Sequence, residues 1–496
     1  MSVRGTPPRT VVVIGAAMAG LLAAAALARD GRTVTVLDRD DLPEIPAPRR
    51  GVPQGRQPHL LLHRGLRAVE DLLPGFTEEL RAAGGVAVDT GDLAWLASSG
   101  WAPRARQLDV VLATRPLLEH LLRVRVAALP GVRVVGGARA TGLRRGARDG
   151  PRWWVEVAGG EGDAGGPDGT GDAAGHAWPA DLVVDASGRS SRLPVWLDVL
   201  GVAPAAVEEV DAQVGYATVR VRLPADRVGA AGVVVLQQRG HGGGLALPAE
   251  GGWWTVTAVG AGEQRPPRDL PGLRAFLAAL PDDSLARIAA AGPLDGDVVT
   301  YRQTGNRRHR YDRVPRWPDG LVVVGDALCA FDPVYGQGIT VAALEAHTLR
   351  DADGRGRLTA PGGAARAVRD SLRLGALPWQ IATGEDRTLA GLPGPRSPVA
   401  ALTGTWITEL GRMSAHGDVV AQDALSRVYH LVAPPTTLFH PRLVGRALRT
   451  RLRGYGPAVP RPVVLPDDAP GGDVPPGGAG HAVGHGPDVG AVGDGR

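Results

Sequence analysis

Lysine is absent from this 496-residue chain, and arginine supplies all 55 of its basic residues. A guanidinium hardly titrates below pH 12, so a small excess lifts the isoelectric point to about 9.7 while the net charge is only +4. The all-arginine usage, with 71 Gly and 42 Pro, looks like the coding bias of a GC-rich genome. Nucleic-acid binding, which calls for a clustered basic face, is not expected. Cysteine is nearly absent too: the single Cys329 excludes an intramolecular disulfide and agrees with a reducing cytosol. Apolar runs long enough to span a bilayer, about 18 residues, are missing, so no transmembrane span is expected. The opening MSVRGTPPRT runs directly into a strand pattern, which leads us to expect no secretory signal. No internal repeat is visible.

What the chain does have is 44% hydrophobic residues, over a length ample for a large core and more than one domain. Residues 10–14 (TVVVI) form a β-rich run, 15–20 (GAAMAG) a turn of small residues, 21–29 an Ala-rich helix, and 33–37 (TVTVL) a second strand that ends at Asp38. This is the βαβ opening of a dinucleotide-binding fold, in which Gly15 and Gly20 permit the tight turn and the helix start faces a pyrophosphate. Asp38 is placed to accept hydrogen bonds from adenosine ribose hydroxyls, with Arg39 beside it. Ala17 stands where the middle glycine of the fingerprint belongs, and its methyl group should push the pyrophosphate away a little.

The densest chemistry lies in residues 325–338, GDALCAFDPVYGQG. The apolar run 321–324 before it reads as a buried strand that delivers Asp326 to the carboxyl end of a sheet, where open α/β folds bind ligands. Gly336, Gln337 and Gly338 then open an apolar helix over 339–349, whose unpaired, partly positive N–H groups suit an electron-rich ring or an oxyanion. Upstream, the strand 181–185 ends at Asp185 and runs into ASGRSSRLP, and Arg115 enters a helix whose buried stripe is Leu117, Leu118, Leu121 and Leu122. By composition, 49–59 (RRGVPQGRQPH) is a solvated basic loop, and 159–175 is too poor in apolar residues to order itself. Apolar or alternating runs at 211–223, 232–238, 244–247 and 253–259 indicate an antiparallel sheet. Mostly helical stretches follow residue 360. The basic, amphipathic 442–453 reads as a solvated surface helix rather than a membrane contact, and the Pro/Gly-rich chain from 454 reads as a disordered tail.

Taken in order, the turn at Gly15 with Asp38, the Arg115 helix, DASGRSS and GDALCAFDPVYGQG resemble the motifs of the aromatic hydroxylase and squalene-epoxidase class of FAD monooxygenases, over about residues 10–350. Within that class the chain is similar to actinobacterial FAD-dependent oxidoreductases that include epoxidases of polyether antibiotic pathways. The resemblance implies an α/β fold. A discontinuous, Rossmann-like FAD-binding domain (1–75, 105–200 and 296–360) would carry an inserted antiparallel-sheet substrate domain (76–104 and 201–295), a C-terminal helical region (361–453) and the tail (454–496). It implies that Asp326, after Gly325, holds the ribityl chain while Pro333, Gly336, Gln337 and Gly338 line the flavin ring. By the same resemblance Arg115, Asp185, Gly188 and Arg189 reach the cofactor. The 49–59 stretch is similar to a PQG-R-x-x-H segment that crosses near the flavin in a bacterial subset, with Gln57 and Pro58 as departures. Arg50, Arg56 and His59 are therefore candidates for flavin or substrate contact, and Arg50 and His59 are the catalytic candidates. On the sheet, Tyr216, Gln237 and Trp254 are substrate candidates; no metal is expected.

The implied activity is insertion of one oxygen atom from O2, through a flavin C4a-hydroperoxide, into an alkene or an aromatic or polyketide-type ring, in cytoplasmic natural-product tailoring. No second Gly-rich βαβ unit is present, so NAD(P)H would bind transiently or a separate flavin reductase would supply electrons. The substrate would be a small hydrophobic polyene, terpene or aromatic. No polar pair near a motif stands out as a base for a phenol, which leans the reading toward alkenes or neutral substrates. A flavin halogenase shares this fold but uses a catalytic lysine, which this chain lacks. Two alternatives stay open: an FAD-dependent reductase of prenyl-chain double bonds, and, given Ala17, a flavin-binding protein without turnover.

Overall fold

Five parallel strands form the central sheet of a computed structural model, in the order Leu321–Val323, Leu182–Asp185, Thr10–Ile14, Thr33–Leu37 and Val132–Val135. The structure describes residues 9–465 apart from 30, 148, 159–175, 225–226, 239 and 393–397, with backbone alone for 398–400. The insert at 159–175 and the tail beyond 465 lie outside the described residues. Near-continuous Val and Leu runs are what a sheet covered on both faces requires. Helices Met18–Leu27, Arg115–Ala127 and Gly338–Gly354 share one apolar core with it, as does the antiparallel ribbon Arg139–Arg145, Trp153–Ala158 and Ala177–Ala180.

Strand register builds the site. Ile14 pairs with Asp185, and Asp185 with Val323, so three strands end level and their turns lie side by side at the carboxyl edge. Gly15 has a φ of 104°, and a Cβ there would lie 2.5 Å from the Ala186 carbonyl oxygen. At Gly20 a Cβ would lie 1.8 Å from the Gly15 carbonyl oxygen, so the turn admits no side chain at either position.

The inserted domain is a seven-stranded sheet, ordered Leu294–Tyr301, Val214–Arg222, Trp253–Ala261, Gly243–Ala249, Gly232–Val235, Leu93–Ala97 and Gly100–Trp101. Every pairing is antiparallel except that of Gly232–Val235 with Leu93–Ala97. Helices Leu270–Ala278 and Ser284–Ala290 bury Leu273, Leu277, Leu285 and Ile288 against one face. Strand Leu294–Tyr301 crosses the domain boundary expected at 295, because its ladder to Val214–Arg222 keeps all of it in this sheet.

Helices Ala376–Leu389, Pro398–Ala415, Val419–Tyr429 and Pro441–Arg453 follow, the last three around a small core of their own. The segment 454–465, expected to begin a disordered tail, instead lies extended against the seven-stranded sheet. The Gly229 N–H donates to the Val464 carbonyl at 2.7 Å, Arg461 pairs with Asp282 at 2.7 Å, and Val464 and Leu465 are buried. Val464 and Leu465, set among prolines, supply the anchor, while Val463 beside them is exposed. Among the described residues no helix is long and apolar enough to cross a membrane.

Candidate active site

A cavity of about 2180 Å³ runs from the turns at the central sheet's edge to the open face of the seven-stranded sheet. A site for one small ligand usually takes roughly 300–1,000 Å³, so this one has room for a dinucleotide and a second molecule. Its lining passes from Ala17 and Asp38, through Arg115 and Asp326, to Tyr216 and Leu247.

At the nucleotide end, Ala17 precedes helix Met18–Leu27 with extended backbone and no side-chain cap, leaving the first-turn N–H groups to face the cavity. Asp38 is buried, and its carboxylate is held by the protein. Oδ2 accepts the Ala16 N–H at 2.6 Å, while Oδ1 accepts the Asp40 N–H at 2.9 Å and Arg49 Nη1 at 3.0 Å. Arg49 also reaches Asp40 at 3.0 Å and Glu119 at 2.5 Å, and so pins the 49–52 loop to the strand end. Desolvation opposes this guanidinium's charge, but the flanking Glu119 and Asp38 carboxylates outweigh it and hold its pKa above the ordinary arginine value.

In the middle, Asp326 is half-buried and pairs with Arg189 Nε at 3.5 Å. Arg189 is fixed by donating to the carbonyls of Gly305 (2.6 Å) and Phe331. Gly325, at φ 61°, donates its N–H to Glu345 Oε2 at 2.7 Å. Glu345 sits on helix Gly338–Gly354, 1% exposed; burial, with the Asp326 charge nearby, pushes its carboxyl up to about 8. Asp332 caps the single turn Pro333–Tyr335, and Gly336 at φ 63° leads into the helix. Arg115, buried and bonded to Glu119 at 3.3 Å, faces the same stretch. Burial and the Arg115 charge push the His59 imidazole down to about 3, so it is neutral at pH 7. Its Nδ1 lies 2.8 Å from the Gln57 carbonyl and carries the proton, which leaves Nε2 as an acceptor. Burial raises the Cys329 thiol, which makes it an inert core residue. Open helix N–H donors, an oriented carboxylate and turns without side chains at Gly15, Gly336 and Gly338 suit the two phosphates, ribityl chain and ring of FAD.

At the far end the cavity is largely apolar. Val234, Leu245, Leu247 and Val259 of the sheet face Ile381, Ile407, Leu425 and Val428 of the C-terminal helices. Gln337 Nε2 donates to the Tyr429 carbonyl at 3.1 Å and Tyr429 Oη to the Tyr335 carbonyl at 2.9 Å, stitching these helices to the Gly-Gln-Gly turn. A buried polar chain lies beneath. Tyr216 donates to Asp332 Oδ1, the Asp332 N–H to Asn306 Oδ1 at 2.8 Å, Asn306 Nδ2 to Asp386 Oδ2 at 2.5 Å, and Tyr335 Oη to Asp386 Oδ1 at 2.9 Å. Burial pushes Asp332 up to about 6 and Asp386 up to about 8.

Every expected site residue lines this cavity except Gly20, Arg56, Asp185, Gln337 and Trp254. Gly20 packs beneath the turn, and Arg56 is exposed to solvent. Asp185 is fully buried, accepting the Ser187 N–H at 3.0 Å and the Ser187 and Ser191 hydroxyls at 2.6 Å, so it shapes its turn. Gln337 is turned to Tyr429. Trp254 pairs with Val221, an odd number of residues from Tyr216, and so falls on the sheet's opposite face, in the core under the two helices. The residues not foreseen are Arg49, Glu345 and the Asp332–Asn306–Asp386 chain. An acid amid the Ala-rich 339–349 pattern was a signal for Glu345; nothing local marks the others.

Residues 13–43 match the NAD(P)-binding Rossmann-like domain family. The Mycobacterium tuberculosis protein Rv3254 is 36% identical over 359 residues, covering 70% of this chain and 73% of that protein. Among solved structures the chain is similar to pqsL, a probable FAD-dependent monooxygenase from Pseudomonas aeruginosa, with TM-score 0.55 and 18% identity over 77% of this chain and 98% of that one. It is also similar to the flavin-dependent brominase Bmp2, with TM-score 0.61 and 14% identity over 89% of this chain and 99% of that one. At such identities the two structural matches speak for the fold alone.

Proposed function

We propose that this chain, which belongs to one family with the Mycobacterium tuberculosis protein Rv3254 and shares the fold of an FAD-dependent monooxygenase, transfers one atom of O2 to an alkene or an aromatic ring of a small hydrophobic molecule, in cytoplasmic natural-product tailoring. FAD is its cofactor and NAD(P)H its reductant. The observation that carries the reading is the single cavity in which a nucleotide cradle opens onto an apolar chamber. When bound, FAD supplies electron storage and oxygen activation.

The protein's part is binding, orientation and exclusion of water. The open N–H groups behind Ala17 take the pyrophosphate. Asp326, oriented by Arg189, accepts from the ribityl hydroxyls. The positive end of helix Gly338–Gly354 offsets negative charge on the reduced ring, and Arg115 adds to it. The chamber walls of Leu245, Leu247, Ile407 and Val428 keep water from the reacting centre. His59, neutral, offers Nε2 as an acceptor and holds no proton there to donate.

Oxygen uptake by the FAD-loaded protein with NADPH, over a panel of polyenes, terpenes and phenols, tests this reading. Uptake that depends on one of these compounds is expected. Conversion at an undiminished rate without oxygen would instead identify a double-bond reductase.

A further inference from the structure

We infer that His430, at the end of helix Val419–Tyr429, donates a hydrogen bond from Nε2–H to a carbonyl oxygen of the substrate, so that the preferred substrate is a carbonyl-bearing molecule rather than a plain hydrocarbon. This rests on the monooxygenase reading and narrows its substrate class.

Helix Val419–Tyr429 presents Gln422, Leu425, Ser426 and Tyr429 to the cavity, with His430 as its C-cap, a spacing of three and four residues that sets them along one helix face. The His430 end is the one beside the Gly-Gln-Gly turn. Its neighbour Tyr429 accepts from Gln337 Nε2 at 3.1 Å through its carbonyl and donates to the Tyr335 carbonyl at 2.9 Å through Oη. His430 therefore stands where the nucleotide cradle meets the apolar chamber, not at the chamber's far wall.

The ring is buried, and one contact fixes where its proton sits. The His63 N–H, at the start of helix His63–Leu72, donates to His430 Nδ1 at 3.2 Å. A backbone N–H can only donate, so Nδ1 keeps a lone pair. Burial, with His63 nearby, pushes the imidazole down to about 4, and the ring is neutral at pH 7. Its single proton then lies on Nε2, which makes that nitrogen a donor. Among the described residues no acceptor meets this N–H, yet the protein does not seal it in, and the ring lines the cavity. The His63 ring is turned away, its Nδ1 2.7 Å from the Asp109 carbonyl, and Leu60 and Leu112, bridged to each other before this helix, add only apolar side chains to the lining. His59, which also lines the cavity, offers an acceptor at Nε2 and does not compete for a carbonyl. A buried donor without an acceptor is costly. A carbonyl oxygen supplies the acceptor and brings no proton that would need a partner of its own.

The test titrates FAD-loaded protein, without NADPH, with 2-acetylnaphthalene and with 2-isopropenylnaphthalene, which carry C=O and C=CH2 at the same place, and follows the bound-flavin absorbance. The quantity read is the ratio of the two affinities. His430→Asn keeps an oxygen near the Nδ1 position for the His63 N–H but lacks the farther donor, and His430→Phe keeps the ring's shape without either nitrogen. The wild-type ratio should favour the ketone by about tenfold more than the ratio in either variant. His430→Gln, which places an amide N–H near the Nε2 position, should hold the ratio within about twofold of wild type. A wild-type ratio equal to that of the Asn and Phe variants, a ratio that falls as far in Gln as in those two, or binding of neither probe would overturn the inference. So would a loss of FAD occupancy in the Asn and Phe variants with the ratio unchanged, since the N–H would then serve the cofactor. Binding needs no turnover. A missing preference in protein that still couples O2 uptake to a substrate therefore sinks this inference alone, and an intact preference without O2 chemistry sinks only the monooxygenase reading.

Discussion

Replacing Glu345 by Gln should flatten part of the protein's pH–stability curve, and the size follows from where that carboxyl sits. It is 1% exposed, accepts the Gly325 N–H at 2.7 Å, and has its pKa pushed by burial from 4.5 to about 8. In the unfolded chain the group ionises from pH 4.5 upward, while in the folded chain it keeps its proton until about pH 8. The folded state therefore holds the extra proton across this window, and stability is full below pH 4.5 and lost as pH rises toward 8. With each pH unit worth about 1.4 kcal/mol, Glu345 should remove about 2–3 kcal/mol between pH 5 and pH 7. Gln keeps an oxygen for Gly325 but does not titrate, and its buried amide N–H groups cost about 1 kcal/mol at every pH. Urea unfolding at pH 5 and pH 7, at matched flavin content, should show the variant slightly less stable at pH 5 and more stable than wild type at pH 7. An unchanged difference between the two pH values would refute the reasoning, since Glu345 would then be ionised in the fold.

Other expectations follow from the same geometry. Asp326→Ala removes the ribityl acceptor and the partner of Arg189; FAD occupancy of the purified protein should fall about tenfold or more, and unchanged occupancy would remove Asp326 from the site. Ala17→Gly takes a methyl group off the pyrophosphate turn at an unstrained backbone position (φ −87°); FAD affinity should be equal or tighter, and a clear loss measured by flavin titration would contradict the account. Val464→Asp places a charge where 3% of the residue is exposed, in the core behind the seven-stranded sheet. Stability should drop by about 2–4 kcal/mol, and an unaffected Tm would mean that 454–465 is not anchored.

The parts of the fold legible in the chain were those written in short range. The Val runs at 10–14 and 181–185, the glycine turn at 15–20 and the GDA…GQG stretch each specify a strand or a helix start from adjacent residues, and parallel pairing then brings their ends together. What escaped was decided by packing at long range. Arg49 looked like part of a solvated loop because its partner Glu119 is 70 residues away. Asp332 was visible within the Asp-Pro motif, but its role depends on Tyr216, 116 residues upstream, and on Asn306. Trp254 could not be set on one face until the register with Val221 was known. The C-terminal helices read as helices, yet nothing in their periodicity tells that Ile407 and Val428 close a cavity over a distant sheet.

Oxygen transfer itself is the claim on which the rest depends, and the source of the oxygen atom in the product is its most direct test. FAD-loaded protein, NADPH and the most active compound of the panel, under 18O2, should yield a product heavier by one labelled oxygen atom, with no label acquired from H2 18O. A product without label, or the same product formed in the absence of O2, would contradict the monooxygenase account.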